Sequence, residues 1–157
     1  MSDIIYLTLK GNKQGLISAG CSSYDSIGNR YQSDHTDEIL VYSTDYEVAR
    51  SQNLSHGAFI FIKADDKSSA LMLTAISSNE ILECKFKYYR IDKSGGLLHY
   101  KTITLTKSSI TRIKNIHPNS LTDNEVYPFE TVYLNYESIT VNHIAASASG
   151  YSISNNT

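Results

Sequence analysis

Apolar and polar residues alternate along most of the chain with a period of two, as in a β-strand that buries one face. In the first such segment, Ile5, Leu7 and Leu9 alternate with Tyr6 and Thr8. Further extended segments are predicted at Asp37–Val48, Ala58–Lys63, Leu82–Tyr88, Leu97–Thr106, Ser109–Ile116 and Thr131–Ile144. The pattern therefore predicts about seven strands, distributed over nearly the whole chain.

Two local signals show how these strands connect. The turn Asp92–Gly96 separates Leu82–Tyr88 from Leu97–Thr106, and a short loop with glycine between two extended segments predicts a β-hairpin. In the last segment the apolar residues occupy even positions up to Tyr136 and odd positions from Ile139. Such a change of face predicts a bulge or bend, which is common where a sheet curls towards a barrel.

One segment has a different period. Side chains suited to a helix N-cap occur at Asp65–Ser69, and Ala70–Ile76 follows without a helix breaker. We predict one short helix at about residues 66–77. A single helix among many strands predicts a mainly β fold, either a β-barrel or a two-sheet sandwich.

The longest irregular segment covers residues 18–36 and is rich in Gly, Ser, Asp and Asn. Its apolar residues are Tyr24, Ile27 and Tyr31. A long connection inside a compact domain is usually functional, so this extended loop is predicted to be an interaction element. We predict a single domain over residues 1–152. The segment after Ala148 is predicted to be mobile, with residues 153–157 as a C-terminal tail.

Composition and charge exclude two classes of partner. The 14 basic residues are fewer than the 16 acidic ones and are scattered along the sequence, so no basic face for nucleic acid is expected. No stretch reaches the roughly 20 apolar residues that cross a bilayer. Tyr6, Thr8 and Lys10 interrupt the N-terminal apolar residues, so no signal peptide is expected. We therefore predict a protein made in the cytoplasm, without membrane insertion.

Candidate chemistry is sparse. Asp34, His35, Asp37 and Glu38 come nearest to a metal site, but alternation would place Asp37 and Glu38 on opposite faces of a strand. Cys84 falls in a predicted buried row. Neither G-x-S-x-G nor H-E-x-x-H is present, and phosphate-binding glycine loops are absent from the sequence. We predict no catalytic site, no metal and no cofactor.

Tyrosine content and sheet edges indicate interaction with other protein chains. The sequence has 12 tyrosines and no tryptophan. Tyrosine is enriched at protein interfaces, and an edge strand invites pairing unless it is protected. A self-assembling subunit is therefore favoured. The alternative is a monomeric β-barrel that binds a small ligand, with tyrosines lining its pocket.

Segments spread over the chain resemble the haemolysin-coregulated protein (Hcp) family, whose members are tube subunits of the bacterial type VI secretion system. The segments that carry the resemblance are Ile4–Gly11, Gly15–Ser23, Phe61–Lys63, Asp66–Ser69, Glu80–Cys84, Glu130–Ile139 and Ser149–Ser152. One departure is Ala70, where the family often has a proline that starts the helix. That change affects the exact helix start, because proline there only preorganises the first turn.

The resemblance implies a barrel-like fold with one helix, and hexameric rings that stack into a hollow tube. A contractile sheath would surround the tube, a spike protein would tip it, and the lumen would shelter small effectors. The machine would then export the chain to the exterior or into a target cell without a signal peptide. In a chain of 157 residues we expect no fused toxin domain. The loop at 18–36 would contact the next ring, and we predict Tyr24, Ile27 and Tyr31 at the stacking interface.

Overall fold

Antiparallel strands dominate the computed structural model, which describes residues 3–28, 32–122 and 126–154. Nine strands of this described part form one sheet, and two more form a separate hairpin. The strands are β1 (Ile4–Gly11), β2 (Gly15–Leu16), β3 (Ile39–Asp45), β4 (Val48–Arg50), β5 (Leu54–His56), β6 (Phe59–Ala64), β7 (Leu82–Ile91), β8 (Leu97–Ile116), β9 (Phe129–Asn135), β10 (Ser138–His143) and β11 (Ala148–Ile153). The α-helices are α1 (Tyr24–Ile27) and α2 (Ser68–Ser78), and Ser33–His35 forms a short 3₁₀ helix. The predicted mainly β class is confirmed.

The large sheet closes into a barrel through β8. Six strands follow in the order β8-β7-β1-β3-β6-β9, and β9 pairs back onto β8. The first half of β8 pairs with β7, while Ser109–Ile116 pairs with β9. Lys107 lies between the halves with a left-handed φ of 46°. The predicted break at Lys107–Ser108 is therefore wrong as a strand end, because it is a corner within one continuous strand.

The core fills the barrel with side chains from the inward faces of β1, β3, β6, β7, β8 and β9. Pairing places Leu7 opposite Phe86, and Phe61 opposite Val132. All four are at most 1% exposed. Burying an apolar side chain of this size contributes about 1.5–3 kcal/mol, so these inward rows supply much of the stability of the barrel. Met72 from α2 packs into the same cluster.

The helix predicted at residues 66–77 is observed as α2. The Asp66 carboxylate accepts a hydrogen bond of 2.8 Å from the Ser68 amide at its first turn, and Asn79 ends it with a left-handed φ of 51°. Asparagine tolerates that conformation better than most residues, which suits a helix C-terminus. None of the helices among the described residues is long and apolar enough to cross a membrane.

Several strand boundaries differ from the sequence prediction. The segment Asp37–Val48 is divided, because β3 ends at Asp45 and β4 pairs with β5 in the separate hairpin. The segment Thr131–Ile144 is also two strands, β9 and β10, and the corner between them lies at the predicted change of face. After Ala148 the chain forms β11, paired with β10, where a mobile segment was expected. Residues 155–157 of the predicted tail lie outside the described residues.

Candidate assembly surfaces and their anchors

The first half of the connection between β2 and β3 is packed against the barrel. Ile17, Ser18 and Cys21 are at most 1% exposed. The Ser18 hydroxyl accepts a hydrogen bond of 3.2 Å from the Leu9 amide on β1, and the Ile17 amide donates to the Leu9 carbonyl at 2.9 Å. The segment predicted as an extended loop from residue 18 therefore starts as part of the core.

The connection then returns close to its own start. The Ser22 amide donates to the Thr36 carbonyl at 3.1 Å, and the Gly20 amide donates to Asp37 Oδ1 at 2.9 Å. The Ser22 hydroxyl also donates to the Glu38 carbonyl. These bonds hold the two ends of the connection, at Gly20–Ser22 and Thr36–Glu38, next to each other.

His35 attaches the second end to the outer surface of β1 and β7. Its ring stacks on Tyr6 with centroids 4.0 Å apart, and Nδ1 lies 2.8 Å from Glu38 Oε1. Glu38 Oε2 lies 3.4 Å from Lys87 Nζ on β7. Burial raises the pKa of Tyr6, and the negative charge of Glu38 raises it further. The histidine and this carboxylate thus act together as an aromatic and ionic attachment.

The sequence-predicted metal candidates are separated by these contacts. His35 and Glu38 contact each other, whereas Asp37 accepts a hydrogen bond from Gly20. Within the described ranges, no three His, Cys, Asp or Glu side chains converge in a way that could hold a metal ion. The cluster is explained by its role in fixing the connection.

The three predicted stacking residues have different surroundings. Tyr24 lies on α1 and is 61% exposed, whereas Ile27 at the end of the same helix is only 7% exposed. Tyr31 lies outside the described residues. Ile27 therefore holds α1 against the protein, and Tyr24 offers the larger surface to a partner. The Lys67 amide donates to the Ser26 hydroxyl at 2.8 Å, which joins α1 to the start of α2.

A second projecting element, the β4–β5 hairpin, was missed by the sequence prediction. Residues Val48–Arg50 are all exposed, so they carry no alternating pattern from which a strand could be recognised. The Gly57 amide donates to the Glu47 carbonyl at 2.8 Å and closes the base of the hairpin. This hairpin is outside the main sheet, and its strand β4 is fully exposed.

His56 anchors that hairpin to the C-terminal strand. The residue is 8% exposed. Its Nδ1 lies 2.8 Å from the Tyr136 hydroxyl, and its Nε2 lies 2.9 Å from the Ser152 hydroxyl on β11. Both ring nitrogens are thus satisfied by hydroxyl groups, each of which can donate or accept. The arrangement holds the hairpin and β11 together.

A buried ionic cluster connects β6, β9 and α2. Lys63 is fully buried, and its Nζ lies 2.6 Å from Glu130 Oε1 and 3.3 Å from Asp66 Oδ1. The Ser69 hydroxyl contacts both Lys63 and Glu130. Burial raises the pKa of Asp66, while the charge of Lys63 opposes that shift. A buried charge without an opposite charge beside it is strongly destabilising, so these ion pairs hold α2 against the barrel.

Both cysteines are held as inactive thiols. Burial raises the pKa of Cys21 to about 12, and the nearby Asp66 charge acts in the same direction. Burial also raises the pKa of Cys84 to about 12. Because the thiolate is the nucleophile, neither thiol is activated at neutral pH.

Glu80 forms another anchor that the sequence did not reveal. Its Oε2 accepts hydrogen bonds from the Lys13 and Gln14 amides at 3.0 and 2.9 Å. The Gln14 side chain donates to Glu80 Oε1 and to the Leu71 carbonyl, both at 3.0 Å. Burial opposes ionisation of Glu80, but these hydrogen bonds lower its pKa overall. The turn between β1 and β2 is therefore fastened to α2.

Comparison with known sequences identifies relatives over almost the whole chain. Residues 6–143 match the family model described as "Type VI secretion system effector, Hcp". The chain is 32% identical over 162 residues to the "Major exported protein" of Pseudomonas aeruginosa, and the match covers 96% of this chain and 94% of that protein. It is 38% identical over 148 residues to the "Uncharacterized protein YhhZ" of Escherichia coli (strain K12). That match covers 93% of this chain and 36% of YhhZ, so the chain spans about a third of that relative.

Solved structures agree with the sequence comparison. A crystal structure of an Hcp protein superposes with a TM-score of 0.94 at 30% identity, covering 99% of this chain and 100% of that chain. The secreted protein Hcp3 from Pseudomonas aeruginosa superposes with a TM-score of 0.89 at 31% identity, again covering 99% and 100% of the two chains. The family resemblance is confirmed by sequence and by fold, and the chain belongs to the Hcp family of the type VI secretion system.

Proposed function

We propose that this chain is a structural tube subunit of a type VI secretion system. Six copies form a ring, and rings stack into a hollow tube that can shelter small effectors. A contractile sheath around the tube and a spike at its tip drive it out of the cell. The observation that carries the proposal is the agreement over nearly the full length with Hcp3, which is described as a secreted protein, and with the Major exported protein.

The interior of the barrel supports a mechanical role over ligand binding. Phe59, Phe61 and Phe86 are at most 1% exposed, and their rings contact one another across the barrel. A small barrel whose interior is filled by side chains has no room for a ligand there. The buried, protonated cysteines likewise favour a subunit that acts through its shape, without catalysis.

The mass of the purified protein in solution tests this proposal. Light scattering is expected to give about 105 kDa, six times the 17.5 kDa of one chain. A closed ring of identical subunits predicts that value over a wide concentration range. A mass of one subunit that persists at high concentration would overturn the ring and favour the monomeric β-barrel that binds a small ligand.

Tyr24 is the most direct test of stacking. The aromatic side chain is 61% exposed on α1, and aromatic residues often supply much of the energy of an interface. We expect Tyr24→Asp to leave rings of normal mass but to abolish tubes in electron micrographs, while Tyr24→Phe retains them. Tubes of normal length from Tyr24→Asp would refute the role of this residue.

Ile27 and Tyr31 remain predicted members of the stacking interface. Ile27 needs a mild substitution, because an aspartate at a buried position would displace α1 and change more than one contact. Ile27→Val keeps the packing and isolates any direct contribution. Shorter tubes with unchanged ring mass are expected if this helix is part of the ring-to-ring contact.

A further inference from the structure

The strands β3, β6 and β9 carry several apolar residues on their outward face as well as on their inward face. Their inward residues belong to the core, and their outward residues should be polar if solvent covered that side. The observed outward residues include Leu40, Tyr42, Ile60, Ile62, Phe129 and Tyr133. Strands with apolar residues on both faces are typical of sheets that are covered on both faces. We call this outward surface the apolar wall.

The opposite side of the barrel has the expected composition. On β7, Glu83 and Lys85 are exposed and alternate with the buried Leu82, Cys84 and Phe86. The neighbouring strand β1 contributes Thr8 and Lys10 to the same outward surface. We call this surface the polar wall. The apolar wall is therefore a local feature of one side and not a property of the whole barrel.

The apolar wall carries a shallow depression with a volume of about 440 Å³. It is lined by Tyr42, Ile62, Val126, Tyr127 and Phe129. Tyr127 is 60% exposed, Val126 51% and Tyr42 41%. At about 200 Å² for a tyrosine side chain, the two tyrosines alone present roughly 200 Å² of surface. Together with their neighbours they approach the few hundred Å² at which an apolar patch marks an interaction site.

Charged residues border this patch on both sides. Strand pairing places Asp45, Ile60, Tyr133 and Arg112 in one row across β3, β6, β9 and β8. Asp45 and Arg112 are exposed at the two ends, and the Arg112 guanidinium lies 5.4 Å from the centre of the Tyr133 ring. An apolar centre with a charged rim is the usual anatomy of a protein interface.

The chain offers a second apolar surface that differs from the first. Within the described residues, β11 pairs only with β10, which leaves its other edge open. Ser152 contacts His56, so the alternating residues Tyr151 and Ile153 face the other way. Tyr151 is 75% exposed and Ile153 is 54% exposed. Strand pairing places Lys85, Thr104, Thr140 and Tyr151 in one row, so β11 extends the polar wall.

We propose that the apolar wall of one subunit docks the outward face of β11, with Tyr151 and Ile153, of a second copy of this chain. The proposal rests on the ring proposed above and assigns its contact surfaces. A ring needs a head-to-tail contact between two different surfaces, and these two apolar surfaces lie on different sides of the barrel. Repeating the contact around the ring covers both apolar surfaces on every subunit.

Three substitutions with light scattering test the assignment. Tyr127→Asp and Tyr151→Asp are each expected to reduce the mass from about six subunits to one, because an aspartate carboxylate would be buried without a partner. Leu73→Asp on α2 is the matched control, since Leu73 and Tyr127 are 64% and 60% exposed. The control should keep the mass of the ring. Circular dichroism and thermal unfolding of all three variants show whether the fold is retained.

The outcomes separate this inference from the proposed function. A ring in the wild type together with rings in both Tyr127→Asp and Tyr151→Asp overturns the contact assignment and leaves the tube subunit standing. A wild-type mass of one subunit overturns the ring itself, and the assignment with it. A ring in the wild type and single subunits in both folded variants support the assignment.

Cross-linking provides a second test that does not depend on disruption. The native Cys21 and Cys84 are buried, so introduced cysteines are the accessible thiols among the described residues. The double variant Val126→Cys/Tyr151→Cys is expected to give a ladder of disulfide-linked species up to six chains under oxidation. Either single variant should give no ladder. Disulfide-linked pairs from Val126→Cys alone would show that the apolar walls of two subunits face each other, which would overturn the head-to-tail contact.

Discussion

The apolar wall and the polar wall of the barrel share the same kind of inner face but differ on the outside. On β7 buried residues alternate with charged ones, whereas on β6 buried Phe59 and Phe61 alternate with Ile60 and Ile62. The inner rows determine how the chain folds, because they fill the core. The outer rows determine which surfaces the folded chain presents to its partners. The comparison therefore separates residues that maintain the barrel from residues that serve assembly.

Lys63 is a charged residue on an inner face that is otherwise mainly apolar. Among the substitutions proposed, its replacement is expected to have the largest effect on stability. In Lys63→Met the buried carboxylates of Glu130 and Asp66 lose their cation. Breaking a buried ion pair from one side costs about 3–5 kcal/mol. Urea unfolding monitored by circular dichroism, under conditions where the variant and the wild type have the same mass, measures the loss.

The double variant Lys63→Met/Glu130→Gln is the control for that measurement. It removes one of the two uncompensated charges, so its loss of unfolding free energy should be smaller than that of Lys63→Met alone. A loss below about 1 kcal/mol in the single variant would show that the cluster is not needed to hold α2. The inner face of the apolar wall would then depend on apolar packing alone, as the opposite inner face does.

Mild core substitutions test whether the two inner faces are equivalent. Ile39 on β3 is 0% exposed and Ile103 on β8 is 2% exposed, and the two residues lie beneath the apolar and polar walls respectively. Removing one methyl group by Ile→Val is expected to cost about 0.5–1.5 kcal/mol at either position. Thermal and urea unfolding should show similar losses of unfolding free energy at the two positions. Light scattering should show no change in ring mass. A loss at one position only would contradict the equivalence.

The sequence predicted elements with one buried and one polar face more reliably than the others. The strands β1 and β7 were recognisable because Leu7 and Phe86 alternate with polar neighbours. The strands β4 and β11 were missed, since most of their residues are exposed and no inward row marks them. Their order comes from tertiary contacts such as those of His56, which joins residues 96 positions apart. Such contacts leave no local periodic signal.

The buried ionic cluster has a recognisable signature in the sequence. Lys63 is in phase with Phe59 and Phe61, and Glu130 is in phase with Val132 and Leu134. Two opposite charges that each continue a buried row indicate an internal ion pair when their strands are neighbours. The neighbour relation of β6 and β9 was the missing information. Sequence alternation gives the face of a residue but not the strand beside it.

The outer faces are expected to show the smallest effect on the fold and a clear effect on assembly. Ile62→Thr on β6 and Lys85→Thr on β7 replace outward residues at the centres of the apolar and polar walls with the same β-branched side chain. Threonine suits a strand, and outward substitutions usually change the unfolding free energy by less than about 1 kcal/mol. Both variants should therefore fold with nearly unchanged stability.

Their masses on dilution are expected to differ. Ile62→Thr removes apolar surface and adds a hydroxyl group where a second copy is proposed to dock, so its rings should dissociate at a higher protein concentration than the wild type. Lys85→Thr changes an exposed residue that faces solvent or the tube lumen. Its rings should dissociate at the same protein concentration as those of the wild type. If Lys85→Thr weakens the ring and Ile62→Thr does not, the subunit contact lies on the β7 part of the polar wall and not on the apolar wall. The outward residues Ile60 and Ile62 of β6 would then have to be covered by something other than the neighbouring subunit. A strand with one face in solvent normally carries polar residues on that face.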